Sequence, residues 1–219
     1  MNDSLFAQLV SLCAGLLLLS GVLIVWRRSL TAQVRFLALQ GAALAVLVAV
    51  IGDYQTSAEL IGVAALVLAL KAVLLPAVLN RAVARGDAGQ LETPVINTTA
   101  ALIASSLLTM LAYVVSRPLQ AAGSGPAAKA VPVGIALLLY GFLVLATRRH
   151  AVSQLVGFLM LDNGIATVAF LISGGVPLVV ELGVSLDVLL VVLILQVLTG
   201  RIRTEFGAAD LDDLSELRD

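Results

Sequence analysis

The chain has 219 residues, 60% of them apolar and only 12% charged, where a soluble domain is nearer a quarter charged. With a mean hydropathy of +1.08, this composition excludes a soluble globular protein and reads as an all-α integral membrane protein. The net charge of -1 offers no basic surface to a nucleic acid, and one cysteine (Cys13) with one histidine (His150) cannot supply a four-cysteine cluster, a zinc set or a bimetallic centre.

Apolar runs of about 20 residues, the length that crosses a bilayer, predict seven transmembrane helices in chain order, over 5–26, 32–52, 58–80, 94–116, 127–147, 151–174 and 177–200. Between the first two lies Arg27-Arg28, and the acidic stretch from Asp53 to Glu59 separates the second from the third. Within the third, Pro76 removes a backbone donor and should bend the helix beside Lys71. The polar 81–93 loop leads to Thr93-Pro94, a capping hydroxyl before an N1 proline, which predicts the start of the fourth helix. The small residues of QAAGSGPAAK read as a flexible external linker. Arg148-Arg149-His150 precedes the sixth helix, and Gly174-Gly175-Val176-Pro177 turns the chain into the seventh. In the tail, Leu211, Leu214 and Leu217 among acids give a short amphipathic helix signal. Its acidity suits a protein surface better than the anionic cytoplasmic leaflet.

Basic residues accumulate in alternate, cytoplasmic connections of membrane proteins. With the N-terminus outside, Arg27, Arg28, Arg35, Arg81, Arg85, Arg148, Arg149, Arg201, Arg203 and Arg218 fall on the cytoplasmic side, against Arg117 and Lys129 outside. Ten against two supports seven spans running N-out to C-in. Lys71 is the remaining cation, and it lies inside the third span.

A carboxylate at the bilayer centre costs roughly 2.5–3.5 kcal/mol on insertion scales, yet Asp162 and Asp187 occupy apolar segments. Asp162 is thirteen residues beyond Arg149 and Asp187 fourteen before Arg201, so both lie roughly 20 Å deep at about 1.5 Å per residue. Lys71, ten residues before Arg81, comes out roughly 15 Å deep by the same rise. Three ionisable groups of both signs thus share one layer. A carboxylate there stands between desolvation, which favours its neutral form, and a nearby ammonium, which favours its charged form; it changes protonation when the partner moves. Glu181 lies nearer the outer surface, about 120° around its helix from Asp187. Gly183, Gly164 and Ala166 permit close helix approach or room for water, and Asn163 and Tyr140 are candidates to extend a polar path. The rival reading makes these groups buried polar glue. The sequence leaves Lys71 three candidate partners: Asp162, Asp187 or a neighbouring chain.

The segments QLVGFLMLDNGIATVAFL and VPLVVELGVSLDVLLVVLILQVL resemble membrane component E of the hydrogenase-4 family. The D-N-G-I of Asp162 to Ile165 is similar to that family's acidic-N-G-I motif, and the run from Pro177 to Val188 is the stronger match. LKAVLLP around Lys71 and Pro76 is similar too. The resemblance implies a membrane subunit of a complex I-like assembly built around a group 4 nickel-iron hydrogenase, in a bacterial or archaeal cell membrane. It implies antiporter-like membrane subunits, a complex I-like membrane anchor subunit and hydrogenase-like soluble subunits as partners, with the nickel-iron centre and iron-sulfur clusters in those partners and no cofactor in this chain. The last three helices resemble the small three-helix K-type subunit of respiratory complex I. That divides the chain into four N-terminal helices with an external linker (1–126), a K-like three-helix module (127–203) and an acidic cytoplasmic tail (204–219). Carried over by motif, the family's functional glutamates fall on Asp162 and Asp187, with Glu181 as a possible marker. Aspartate shortens the reach by one methylene where the family has glutamate before N-G-I.

The expectation is therefore a non-catalytic subunit that moves protons or sodium ions through Asp162, Asp187, Lys71 and Glu181. A purely structural anchor, or a K-like subunit of a multisubunit cation/proton antiporter, is the alternative.

Overall fold

An apolar helix in lipid satisfies its own backbone, which is why runs this long and this apolar have one local solution. The computed structural model describes residues 2–85, 95–122 and 126–173. These fold as α1 (Asp3–Trp26), α2 (Leu30–Tyr54), α3 (Ala58–Val67), a π-helical segment (Leu68–Leu74), α4 (Leu75–Arg85), α5 (Thr98–Val115), α6 (Arg117–Ala122), a 3-10 turn (Pro126–Ala130), α7 (Val131–Thr147) and α8 (Ala151–Ser173). The protein is an all-α integral membrane protein, and six stretches among the described residues are long and apolar enough to cross a bilayer. They match the first six predicted spans. The seventh, 177–200, and the amphipathic tail signal lie outside the described residues.

Two local expectations are revised and a third is refined. The fourth span starts at Thr98, with Asn97 as its cap accepting from the Ala100 N–H at 2.7 Å; asparagine outranks threonine as a cap because its side-chain oxygen reaches the orphan amides of the first turn more readily. The linker is helical at its described ends, in α6 and the 3-10 turn, because Leu, Gln and Ala are good helix formers and Gln120 Nε2 donates to Ser116 Oγ at 2.9 Å. Beside Pro76, where a bend was expected, the helix changes winding to a π segment, itself a feature at which helices kink. The Leu75 N–H bonds to the Leu70 carbonyl, five residues back, closing the π segment. In that register the next rung would join residue 76 to the Lys71 carbonyl, and proline has no N–H to give.

Helices α7 and α8 lie in backbone contact along two glycine pairs. A Cβ built on Gly141 would stand 2.7 Å from the Gly157 carbonyl oxygen, and one on Gly164 would stand 2.6 Å from the Leu138 nitrogen and 2.7 Å from the Gly134 oxygen. Gly134 and Gly141 are seven residues apart on one helix, as are Gly157 and Gly164 on the other, so each pair lies on one face about two turns apart. In lipid, where there is no hydrophobic drive between helices, such close van der Waals approach is what holds them. The core between α1, α2, α7 and α8 contains Leu17, Leu44, Leu47, Leu137 and Met160, all buried. Helix α5 is the least buried of the six and presents Ile103, Leu107, Met110 and Leu111 outward, as a lipid-facing or subunit-facing helix does.

Candidate ion-relay site

The charged centre is built by α2, α8 and the π segment. Lys71 stands thirteen residues from either end of the apolar stretch Ala58–Ala84, and Asp162 eleven from either end of Ala151–Ser173, so both are at mid-helix. Their side chains meet: Lys71 Nζ donates to Asp162 Oδ2 at 2.5 Å. The residues are 3% and 5% exposed, which makes this an ion pair shielded from the surroundings by packed helices. Of the three candidate partners for Lys71, the fold brings Asp162 to it. The common depth inferred by counting from the flanking arginines agrees with that contact.

The neighbouring turn of α2 holds the pair in place. Gly41 faces the Lys71 backbone so closely that a Cβ would lie 2.6 Å from the Lys71 carbonyl oxygen. Its neighbour Gln40 is fully buried and its Oε1 accepts from Asn163 Nδ2 at 3.0 Å. Asn163 is thus tied to α2 while its chain neighbour Asp162 is tied to the π segment. One α2 heptad earlier, Gln33 Oε1 accepts from Ser153 Oγ of α8 at 2.8 Å. Gln33 and Gln40 share one face of α2, and together they form a buried polar seam along α8.

At one end of the seam sits Arg148, only 5% exposed. Its guanidinium donates to the Val25 and Arg27 carbonyls at 2.8 and 3.1 Å, satisfying carbonyls that the end of α1 leaves without helical partners. Gln33 Nε2 also donates to the Arg27 carbonyl at 3.0 Å. Sequence reasoning counted Arg148 as a topological charge; the fold uses it to fasten the α7–α8 connection to the α1–α2 connection. Replacing Arg148 with Met should lower stability by about 1.5–3 kcal/mol, the worth of hydrogen bonds from a charged donor. Unfolding of the purified variant in detergent measures this, and wild-type stability would show that the clasp contributes nothing.

Other expected residues go elsewhere. Tyr140 is buried with its hydroxyl on Thr109 Oγ1, lining a groove of about 590 Å³ between α1, α5 and α7 with Ser105, Thr109 and Leu18. That hydrogen bond ties it to α5. Gly164 serves the α7–α8 contact described above. Asp187, Glu181 and Gly183 lie outside the described residues. Gln33, Gln40, Ser153 and Gly41 were missed. Their signal was available as polar residues seven apart in an otherwise apolar helix, with a glycine beside one of them.

The chain is 51% identical to the protein named Uncharacterized protein Rv0085 of Mycobacterium tuberculosis, over the whole of both chains. It is 22% identical to the protein named Hydrogenase-4 component E of Escherichia coli K12 over 97% of this chain and 98% of that one, with the same figures for the protein of that name in Shigella flexneri. No family model and no solved structure matches.

Proposed function

This chain belongs to one family with the Mycobacterium tuberculosis protein Rv0085, and we propose that it serves as a membrane-arm subunit of a group 4 nickel-iron hydrogenase or complex I-like oxidoreductase. In this reading it contributes to proton or sodium-ion translocation and to assembly, in a bacterial or archaeal cell membrane, with the N-terminus outside and the tail inside. The distant likeness to proteins named hydrogenase-4 component E supports the membership. The observation that carries the mechanism is the buried Lys71–Asp162 pair at mid-helix.

In a low-dielectric layer an ammonium against a carboxylate favours the charged form, and withdrawal of the ammonium favours the neutral one. A proton taken up when Lys71 withdraws is released when it returns. Asp187, at the same depth by sequence, is the second carboxylate of the relay, and Glu181 lies toward its outer end. Electron transfer belongs to hydrogenase-like soluble partners that hold the nickel-iron and iron-sulfur centres. Antiporter-like subunits and a complex I-like anchor subunit are the membrane neighbours, and the K-like module is the part that meets them.

The test is a tagged chain recovered from its native membrane in mild detergent, its partners identified by mass spectrometry, with Asp162→Asn and Asp187→Asn compared. Asparagine keeps an oxygen acceptor of the same reach for Lys71 and removes the exchangeable proton. Assembly and electron transfer should persist while ion movement falls by about 100-fold, the lower end of what a positioned proton-transferring group contributes. Unchanged ion movement in both variants would leave the chain a structural anchor. Recovery with antiporter subunits alone would make it part of a cation/proton antiporter.

A further inference from the structure

Helices α1, α5 and α7 leave a groove of about 590 Å³ among the described residues, a size within the range of small-molecule sites. On α5 it runs from Leu102 to Val114, about 18 Å at the helix rise, so its mean cross-section is about 30 Å². A helix, about 10 Å across, needs nearer to about 80 Å², whereas one hydrocarbon chain, about 4 Å thick at carbon contact distance, enters. Leu18 and Val22 of α1 give the groove an apolar wall. The Tyr140 ring reaches it because Gly21 makes room: a Cβ on Gly21 would stand 3.1 Å from Tyr140 Cδ2.

Four hydroxyls line this groove, and their protons are all spent. Ser105 Oγ donates to the Ala101 carbonyl at 2.8 Å, Ser106 Oγ to the Leu102 carbonyl at 3.0 Å and Thr109 Oγ1 to the Ser105 carbonyl at 2.8 Å. A threonine hydroxyl has one proton, so in the contact of Thr109 with Tyr140 it is the phenol that donates. What the four groups offer a ligand is oxygen lone pairs. They stand at least six residues from the ends of their apolar stretches, about 9 Å deep, below phospholipid head groups and bulk water. Tyr113, half exposed and two residues from the end of α5, belongs to the interface, where a phenol meets water.

We propose that the groove binds a lipidic alcohol, a single hydrocarbon chain bearing a hydroxyl that donates to the oxygens of Ser106, Thr109 or Tyr140. The chain fills the narrow apolar length, and the hydroxyl supplies the one group that the lining lacks. An isoprenoid alcohol and the hydroquinone of an isoprenoid quinol share this chemistry. The site does not depend on the ion relay.

The experiment titrates the full chain, purified in mild detergent, with farnesol and with farnesyl methyl ether, and reads binding by native mass spectrometry. The two probes share one chain and one oxygen, and only the alcohol has a donor. Wild type should bind farnesol about 5- to 10-fold more tightly than the ether, the worth of one neutral hydrogen bond. Thr109→Val should bring the two to within about twofold, because the Tyr140 proton is then free to donate to either oxygen. Ser106→Trp, at an exposed position, should fill the groove and lose both probes. Equal wild-type affinities would overturn the proposal, as would binding of neither probe or farnesol binding undiminished in Ser106→Trp. Should Ser106→Trp not fold, the wild-type and Thr109→Val preferences decide. Organic extraction of the chain as first isolated separates the sources: a retained isoprenoid alcohol or quinol supports the site, and a partner helix seated in the groove in a map of the native assembly would overturn it.

Discussion

Replacing Lys71 with Met will destabilise the protein by about 3–5 kcal/mol, the usual cost of removing one partner from a buried ion pair. The loss comes from Asp162, left desolvated without a cation within a layer where water does not compete. Replacing both residues, as Lys71→Met with Asp162→Leu, should restore most of that stability, because the desolvation of two charges and their mutual attraction nearly cancel in a buried pair. A double-mutant cycle from unfolding in detergent measures both numbers and isolates the coupling. A single Lys71→Met variant as stable as wild type would mean that the pair is not made in the membrane. The restored double variant should also be inert in ion movement, which separates the pair's structural part from its proposed function.

Adding a single methyl group at Gly164 should cost the upper part of the roughly 1–3 kcal/mol typical of overpacking, and Gly164→Val should prevent the chain from accumulating in the membrane. The built Cβ meets backbone on the opposite helix, at Leu138 N and Gly134 O, and backbone cannot rotate aside as a side chain can. Because Asp162 lies two residues away on the same helix, separation of α7 and α8 would also shift the carboxylate from Lys71. Gly15 and Gly62 are the controls: a Cβ on either meets nothing within 4 Å, so alanine there should be neutral or stabilising by up to about 1 kcal/mol from helix propensity. Equal losses at Gly164 and Gly15 would show that the close approach of α7 and α8 is not what holds them. Yield and thermal unfolding of the four alanine or valine variants decide the matter.

Much of this was legible from residue order because lipid removes alternatives. A run of apolar residues in a bilayer can satisfy its backbone only as a helix, so the six described spans match their expected positions to within a few residues at most ends. The depth of an ionisable residue also follows from counting, since helix rise is constant; that is why Lys71 and Asp162 were placed in one layer from sequence. Helix ends were less legible at Asn97, where several capping residues compete within five positions, and at Pro76, where the same missing N–H is compatible with a bend or with the π winding found at Leu68–Leu74.

By itself the sequence determined that the protein is an all-helical membrane protein, where the six described spans lie, and that Lys71 and Asp162 lie deep within them. It also carried the likeness of Asp162-Asn163-Gly164-Ile165 to an acidic-N-G-I motif. Only the tertiary structure decided that Lys71 meets Asp162, that Arg148 serves as a clasp on the end of α1, and that a seam joins Gln33 to Ser153 and Gln40 to Asn163. The reason is geometric. Local sequence fixes height along a helix axis through the backbone, whereas rotation about that axis and the choice of neighbouring helix are set by how closely surfaces approach, and here glycines at positions 41, 141, 157 and 164 set that approach.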